Sequence, residues 1–236
     1  MAEVTAEVFA GQVAAALGTR LESLLLYGSA ARATHVPRRS GLNTLLVCDA
    51  VDEALFAALE PAVRTWTRAG NPAPIIFTAQ ELRDSSDAFA IEYEDIRQTH
   101  RLLAGRDPWP GITVRREDLR RQLEFELVGK LVRLRQAYAA SRSDPKRLTE
   151  VVVGSASGFF TMLRSMLRLA GRTVPVEPDD VVREAAALAG FPATAVDDLV
   201  AHVRGGAQLT LAARDPRAAA YLAAMARTAE FVNGLT

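Results

Sequence analysis

The sequence of 236 residues carries 28 basic and 28 acidic side chains, with 49% apolar residues, as in an ordinary globular protein. No run of about 18 apolar residues is present, so no membrane span is expected, and the acidic start does not resemble a secretory signal. The single cysteine, Cys48, is expected to be buried in a strand rather than reactive. These features predict a cytoplasmic protein.

The charge is unevenly distributed along the chain. Residues 1–114 carry a net charge of −4, residues 115–172 of +7 and residues 173–236 of −3. The basic middle segment could line an anion site, or it could form an ordinary solvated helix surface.

The first half of the chain alternates between helix and strand patterns. Apolar runs predict strands at residues 21–27, 42–48, 74–78 and 100–104, the last of them at an edge of the sheet. Helices are predicted at residues 4–17, 52–68 and 86–97, with a short one after Thr78, where Thr78 and Glu81 form a capping-box pattern.

The second half of the chain reads as helix throughout. Proline and glycine between Asp107 and Gly111 break all periodicity, which predicts domains at residues 1–107 and 112–236. A stripe with spacings of three and four then predicts one face of a helix of about 25 residues, formed by Leu119, Leu123, Leu127, Leu131, Leu134 and Tyr138. Further helix starts at Pro145, Pro178, Thr194 or Asp197, and Asp215-Pro216 indicate an antiparallel bundle.

The link between the first two strands carries a motif. Gly28 and Ser29 end the first strand, a turn over residues 30–33 follows, and a basic loop leads to the pattern Ser-x-Leu-Asn-x-Leu-Leu-Val. Together these features resemble the DNA polymerase β-like nucleotidyltransferase superfamily, over residues 1–105. The resemblance implies an α/β plus α fold: a mixed sheet with flanking helices, then a helical bundle similar to the C-terminal domain of kanamycin nucleotidyltransferase.

The resemblance also implies a phosphate-binding role for the motif. In the superfamily the Gly-Ser turn begins a helix whose backbone N–H groups bind the nucleotide triphosphate, here at Gly28 and Ser29. Arg32, Arg38 and Arg39 could clamp a phosphate, because a guanidinium matches its geometry. The alternative is that Gly28 only permits a tight turn and that the arginines are solvated.

The metal-binding part of the superfamily motif is absent from this sequence. Active relatives place carboxylates at three positions, where this chain has Gly41, Asn43 and Ile75. We therefore expect no catalytic residue, metal or cofactor here, with magnesium relevant only if other acids act instead. The candidates for that role are Asp49, Asp52, Glu92, Glu94 and Asp95.

The helical half offers weaker candidates. Four charged side chains could face a substrate cleft or simply pair on the helix surface: Glu124, Glu126, Lys130 and Arg133. The bundle also resembles those of the HEPN group, whose ribonuclease motif is an arginine and a histidine separated by four to six residues. No arginine in residues 115–236 is followed by a histidine at that spacing, so ribonuclease activity is disfavoured. The histidines, His35, His100 and His202, show no metal-ligand spacing.

Three hypotheses for function remain open. The first is a catalytically degenerate protein that binds a nucleotide or phosphate, or acts as a sensor or scaffold. The second is an active nucleotidyltransferase with relocated metal ligands. The third is a protein-interaction module, antitoxin-like or homodimeric, without a ligand. Neither a membrane nor a nucleic acid is indicated as a partner.

Overall fold

The computed structural model describes residues 4–32, 41–206 and 208–235. The chain forms two compact units, Met1–Val114 and Arg115–Thr236. The first contains a sheet with helices on both faces, and the second is helical, so the predicted α/β plus α fold class is confirmed.

The sheet of the first unit is mixed. Its strands are β1 (Leu21–Tyr27), β2 (Asn43–Cys48), β3 (Ile75–Thr78) and β4 (His100–Gly105). They lie in the order β3-β2-β1-β4, with β1 antiparallel to β2 and β4, and β2 parallel to β3. The predicted edge position of β4 is therefore confirmed.

Four α-helices accompany this sheet in the described part of the first unit. They are α1 (Ala6–Leu17), α2 (Glu53–Arg68), α3 (Ala79–Asp84) and α4 (Ala90–Gln98). The capping box is present, because the Glu81 N–H donates to Thr78 Oγ1 and the Thr78 N–H donates to a Glu81 carboxylate oxygen. The helix predicted at residues 86–97 begins later, at Ala90, because the N–H groups of Ala88 and Phe89 turn back to the Ser85 carbonyl.

Each face of the sheet has its own apolar core, because successive strand residues point to opposite faces. On one face Leu24 and Leu46 pack against α1 and α2, where the rings of Phe9 and Trp66 stack at 4.3 Å. The buried Cys48 belongs to this core, as predicted, and burial raises the pKa of its thiol.

The second core lies on the opposite face of the sheet. Leu25 and Leu45 pack there against Tyr93 of α4, together with Trp109 and Ile112. The chain that follows the proline-rich break therefore still packs on the sheet, and the helical unit starts at Arg115.

The second unit is built from five helices in the part of the chain that the structure describes. They are α5 (Arg116–Ser141), α6 (Pro145–Leu169), α7 (Pro178–Ala189), α8 (Asp197–Val203) and α9 (Pro216–Asn233). The leucines of the predicted stripe on α5 are buried, with Leu127 at 0% and Leu131 at 7% exposure, and Tyr138 is half-buried.

Buried polar groups fix the connections between these helices. Arg164, which is itself buried, donates to the carbonyl oxygens of Pro175 and Val176 and so holds the chain that leads into α7. Asp215 caps α9 by accepting the Arg217 N–H at 2.9 Å. Among the described residues, no helix combines the length and the apolar character needed to cross a membrane.

Candidate functional site

The Gly-Ser turn lies directly after β1. Gly28 has a φ of 78°, a left-handed conformation that favours glycine, and residues Gly28–Ala30 form one 3-10 turn. The N–H groups of Ala31 and Arg32 both donate to the Gly28 carbonyl, at 3.1 and 3.2 Å. The turn predicted at residues 30–33 thus starts two residues earlier, and residues 33–40 lie outside the described chain.

Asn43 lies beside this turn. It opens β2 and pairs with Tyr27, the last residue of β1. A Cβ atom added at Gly28 would lie 3.1 Å from Asn43 Nδ2, so a side chain at position 28 would crowd the Asn43 amide in addition to straining the backbone. The structure therefore brings Gly28, Ser29 and Asn43 together.

Gly41 lies in a different environment from Asn43. A Cβ atom built at Gly41 would lie 2.5 Å from Pro72 Cδ and 3.1 Å from the Gly70 carbonyl oxygen. The next residue, Leu42, is fixed to the same turn, because its N–H donates to Asn71 Oδ1 at 2.9 Å. The space for a side chain at Gly41 is thus filled by the turn that follows α2.

Ile75 is part of the apolar core. It pairs with Leu45 on the parallel neighbour strand and packs into the same cluster as Leu45 and Val47. By strand alternation Asn43 lies on this face too, two residues before Leu45. Ile75 is therefore on the same face as Asn43, but it is one strand further from the Gly28 turn.

Arg32 is engaged by a carboxylate from α4. Its Nη1 lies 2.9 Å from Asp95 Oδ2, and the two side chains are only 14% and 12% exposed. Arg39, with Arg38 and His35, lies outside the described residues. Of the predicted phosphate-binding arginines, the structure therefore places only Arg32.

Sequence reasoning missed the group formed by Tyr27 and the acids of α4. Burial, together with the nearby negative charges of Glu92 and Asp95, raises the pKa of Tyr27 to about 12. The phenol thus stays protonated at neutral pH. The three-residue spacing of Glu92 and Asp95 predicts a shared helix face, but nothing in the sequence indicates that α4 packs beside the end of β1.

Asp49 and Asp52 lie at the other end of the sheet. Cys48 pairs with Leu21 at the start of β1, whereas Asn43 pairs with Tyr27 at its end. Both carboxylates accept hydrogen bonds from Arg20, at 3.0 and 3.1 Å. The suggestion that Asp49 or Asp52 could act beside the Gly28 turn is therefore wrong.

The remaining acidic and histidine candidates have local partners. Glu94 accepts hydrogen bonds from Arg97 and Gln98, one turn on along α4. His100 Nδ1 lies 2.9 Å from the Ile96 carbonyl oxygen, and His202 Nδ1 accepts the Leu209 N–H in the other unit. In α5, Glu124 pairs with Arg120 and Glu126 with Lys130, as expected for a helix surface.

The donor set at the motif does not fit a pair of magnesium ions. Magnesium prefers charged oxygen ligands, whereas the three motif positions supply two apolar groups and one neutral amide. Among the described residues, no three His, Cys, Asp or Glu side chains are grouped as a metal site. No reaction step through a metal ion follows from this arrangement.

The comparisons with known proteins identify a likeness of fold. No family model matches the chain, and no curated protein matches it. Among solved structures, the spectinomycin adenyltransferase AAD(9) from Enterococcus faecialis, determined with ATP and spectinomycin, superposes with a TM-score of 0.58 at 12% identity. The match covers 93% of this chain and 96% of that one. The chain is thus similar in fold to this adenyltransferase over nearly the full length of both chains.

Proposed function

We propose that this protein binds the phosphate groups of a nucleotide, or of a related phosphorylated molecule, at the Gly28–Ser29 turn without metal-dependent nucleotidyl transfer. The observation that carries the proposal is the position of the Asn43 amide nitrogen against Gly28. An amide N–H donates hydrogen bonds, which suits a phosphate oxygen and not a cation.

Two further groups support phosphate as the ligand. Ser29 follows Gly28 directly and offers a hydroxyl, and Arg32, one turn on, offers a planar guanidinium of the shape that binds phosphate. The likeness in fold to an adenyltransferase whose structure contains ATP favours a nucleotide as the phosphate carrier. Fold alone does not determine function, so the side chains carry the proposal.

The lack of transfer follows from charge. Two divalent cations bring four positive charges, which carboxylates offset in active enzymes of this kind. Gly41 and Ile75 supply no oxygen ligand, and the Asn43 amide carries no charge. Glu92 and Asp95 lie near Tyr27, but Asp95 is paired with Arg32.

Calorimetry with orthophosphate, and with ATP as the nucleotide, tests the binding step. We expect binding of similar affinity in magnesium and in EDTA, weakened by added salt because exposed charges are screened. Ser29→Ala should weaken binding about three- to tenfold through loss of one hydrogen bond. Asn43→Asp should weaken it further, because it places a negative charge beside the phosphate. Asn233→Asp, an exposed change of the same chemistry at the end of α9, is the matched control.

A labelling experiment tests the absence of transfer. The protein is incubated with nucleotide labelled in the α-phosphate and with aminoglycoside, protein and RNA acceptors, with and without magnesium. No magnesium-dependent labelling is expected. Labelling that Ser29→Ala abolishes would favour an active enzyme with relocated carboxylates, and Glu92→Gln and Asp95→Asn would then be tested first. If neither binding nor labelling is found, the interaction-module hypothesis takes precedence.

A further inference from the structure

Arg32, the described arginine next to the Gly28–Ser29 turn, forms an ion pair with Asp95. The two side chains are largely buried and their closest nitrogen and oxygen atoms are 2.9 Å apart. A guanidinium that already binds a carboxylate can meet a phosphate only by sharing or exchanging that partner. Asp95 is therefore a competitor for the one described arginine beside the turn.

A second carboxylate reinforces this effect. Glu92 and Asp95 both lie close enough to Tyr27 to disfavour ionisation of its phenol, and Tyr27 pairs directly with Asn43. Arg32 and these two carboxylates thus lie near the end of β1, whereas Arg101 of β4, which pairs with Leu26, binds Glu7 of α1 instead. The two carboxylates oppose an incoming anion, and this opposition grows with the negative charge of the ligand.

We propose that Asp95 is the specificity-determining residue of this site, and that it disfavours highly charged phosphates by occupying Arg32. The inference rests on the proposed function, because it concerns the same Gly28–Ser29 site. The favoured ligand class is a phosphate of low charge, such as a single phosphoryl group, and a triphosphate is disfavoured while Asp95 holds Arg32. Asp95 acts through Arg32, whose guanidinium it holds.

Asp95→Asn tests the proposal, because it removes the charge and keeps the shape of the side chain. Calorimetry with orthophosphate and with tripolyphosphate should show tighter binding of both, with a gain of about tenfold or more for tripolyphosphate. The gain for orthophosphate should be smaller. Glu94→Gln is the matched control: it removes the same charge from the adjacent position of α4, where the carboxylate binds Arg97 instead.

The role of Arg32 is isolated by a double-mutant cycle. If Asp95 acts by holding Arg32, the gain from Asp95→Asn should disappear in the Arg32→Ala background. An equal gain with and without Arg32 would overturn the competition. An equal gain from Glu94→Gln would likewise reduce the effect to general electrostatics and overturn the assignment to Asp95.

The two proposals fail in distinguishable ways. Wild-type binding of tripolyphosphate that Asp95→Asn leaves unchanged would overturn the role of Asp95 and leave the phosphate site intact. Absence of binding in the wild type and in Asp95→Asn alike would overturn both. Binding of orthophosphate by the wild type, together with binding of tripolyphosphate by Asp95→Asn alone, would support both, with Asp95 excluding the triphosphate.

A spectroscopic measurement on the wild type covers the case in which Asp95→Asn does not fold. The side-chain N–H resonances of Arg32, assigned by their loss in Arg32→Lys, should shift when saturating orthophosphate is added, because the guanidinium exchanges its carboxylate partner for the phosphate. Resonances that stay in place while orthophosphate binds would show that Arg32 remains on Asp95 and would contradict the competition.

Discussion

At the scale of single residues, Asp215 shows how one buried carboxylate joins two elements. It accepts hydrogen bonds from the backbone N–H groups of Ala212 and Arg217 and from the Arg217 guanidinium. The same guanidinium also donates to Asp198 and to the Thr210 carbonyl oxygen. These hydrogen bonds, chiefly the one from the Arg217 side chain, hold the pKa of Asp215 far below its ordinary value.

We expect Asp215→Asn to lower the free energy of unfolding by about 2 kcal/mol at pH 7, because it leaves a buried acceptor network partly unpaired. The depressed pKa means that this stabilisation is complete above about pH 4 and is lost as the pH falls through the folded-state pKa. Urea unfolding at pH 7 measures the first effect, and a series from pH 7 to pH 2 follows the onset of the second. Asp180→Asn, which removes an exposed partner of Arg183, should change stability little; a comparable loss there would contradict the special role of Asp215.

Residue-scale prediction from sequence was uneven for physical reasons. Asp215-Pro216 predicted the start of α9, because caps and N-terminal prolines act within one turn. The partners of Asp215 and of Arg32 depend on which elements pack together. Arg32 and Asp95 are 63 positions apart in the chain, so no local pattern could have paired them.

At the scale of elements, α5 has two apolar faces with different environments. The predicted stripe, which includes Leu127, is buried, whereas Val128 and Val132 are nearly half exposed and Phe125 is 76% exposed.

We expect Leu127→Ala to cost about 3 kcal/mol in unfolding free energy, since it leaves a cavity in the bundle. Val128→Ala, one position away, should cost less than about 0.5 kcal/mol. Thermal and urea unfolding followed by helical circular dichroism compare the two; similar losses would contradict the burial difference.

Long periodic elements were predictable and short ones were less so. The helix of α5 and the strand patterns of β1 and β2 follow from apolar spacing that extends over many residues. The start of α4 was placed four residues too early, because the turn after α3 depends on carbonyl acceptors rather than on periodicity. The environment of Gly41 was also unpredictable, since the turn that fills it comes some 30 residues later in the chain.

At the scale of the whole molecule, the two tryptophans of the chain report on one unit only. Trp66 lies in the core on one face of the sheet and Trp109 in the core on the other, and both belong to the first unit. Tryptophan fluorescence therefore follows the unfolding of the sheet, whereas helical circular dichroism also follows the bundle.

This separation gives a test of whether the two cores unfold together. We expect Leu127→Ala to lower the urea midpoint measured by circular dichroism more than the midpoint measured by fluorescence, because the substitution lies in the bundle. A shift of the same size by both probes would show one cooperative transition. Leu25→Ala, in the sheet core, is the reciprocal variant and should move the fluorescence midpoint more.

The crowded position of Gly41 sets the order in which this site could be rebuilt. Asn43 has a side chain already, so an acid there changes charge at nearly constant volume. An acid at position 41 would first collide with the Pro72 ring, and the adjacent Asn71 is bound to the chain at Leu42, whose N–H donates to Asn71 Oδ1. The turn at residues 70–72 must therefore change before position 41 can accept a carboxylate, whereas position 43 can accept one directly. Directed evolution that selects for metal-dependent activity should recover changes at Pro72 or Asn71 ahead of any at Gly41.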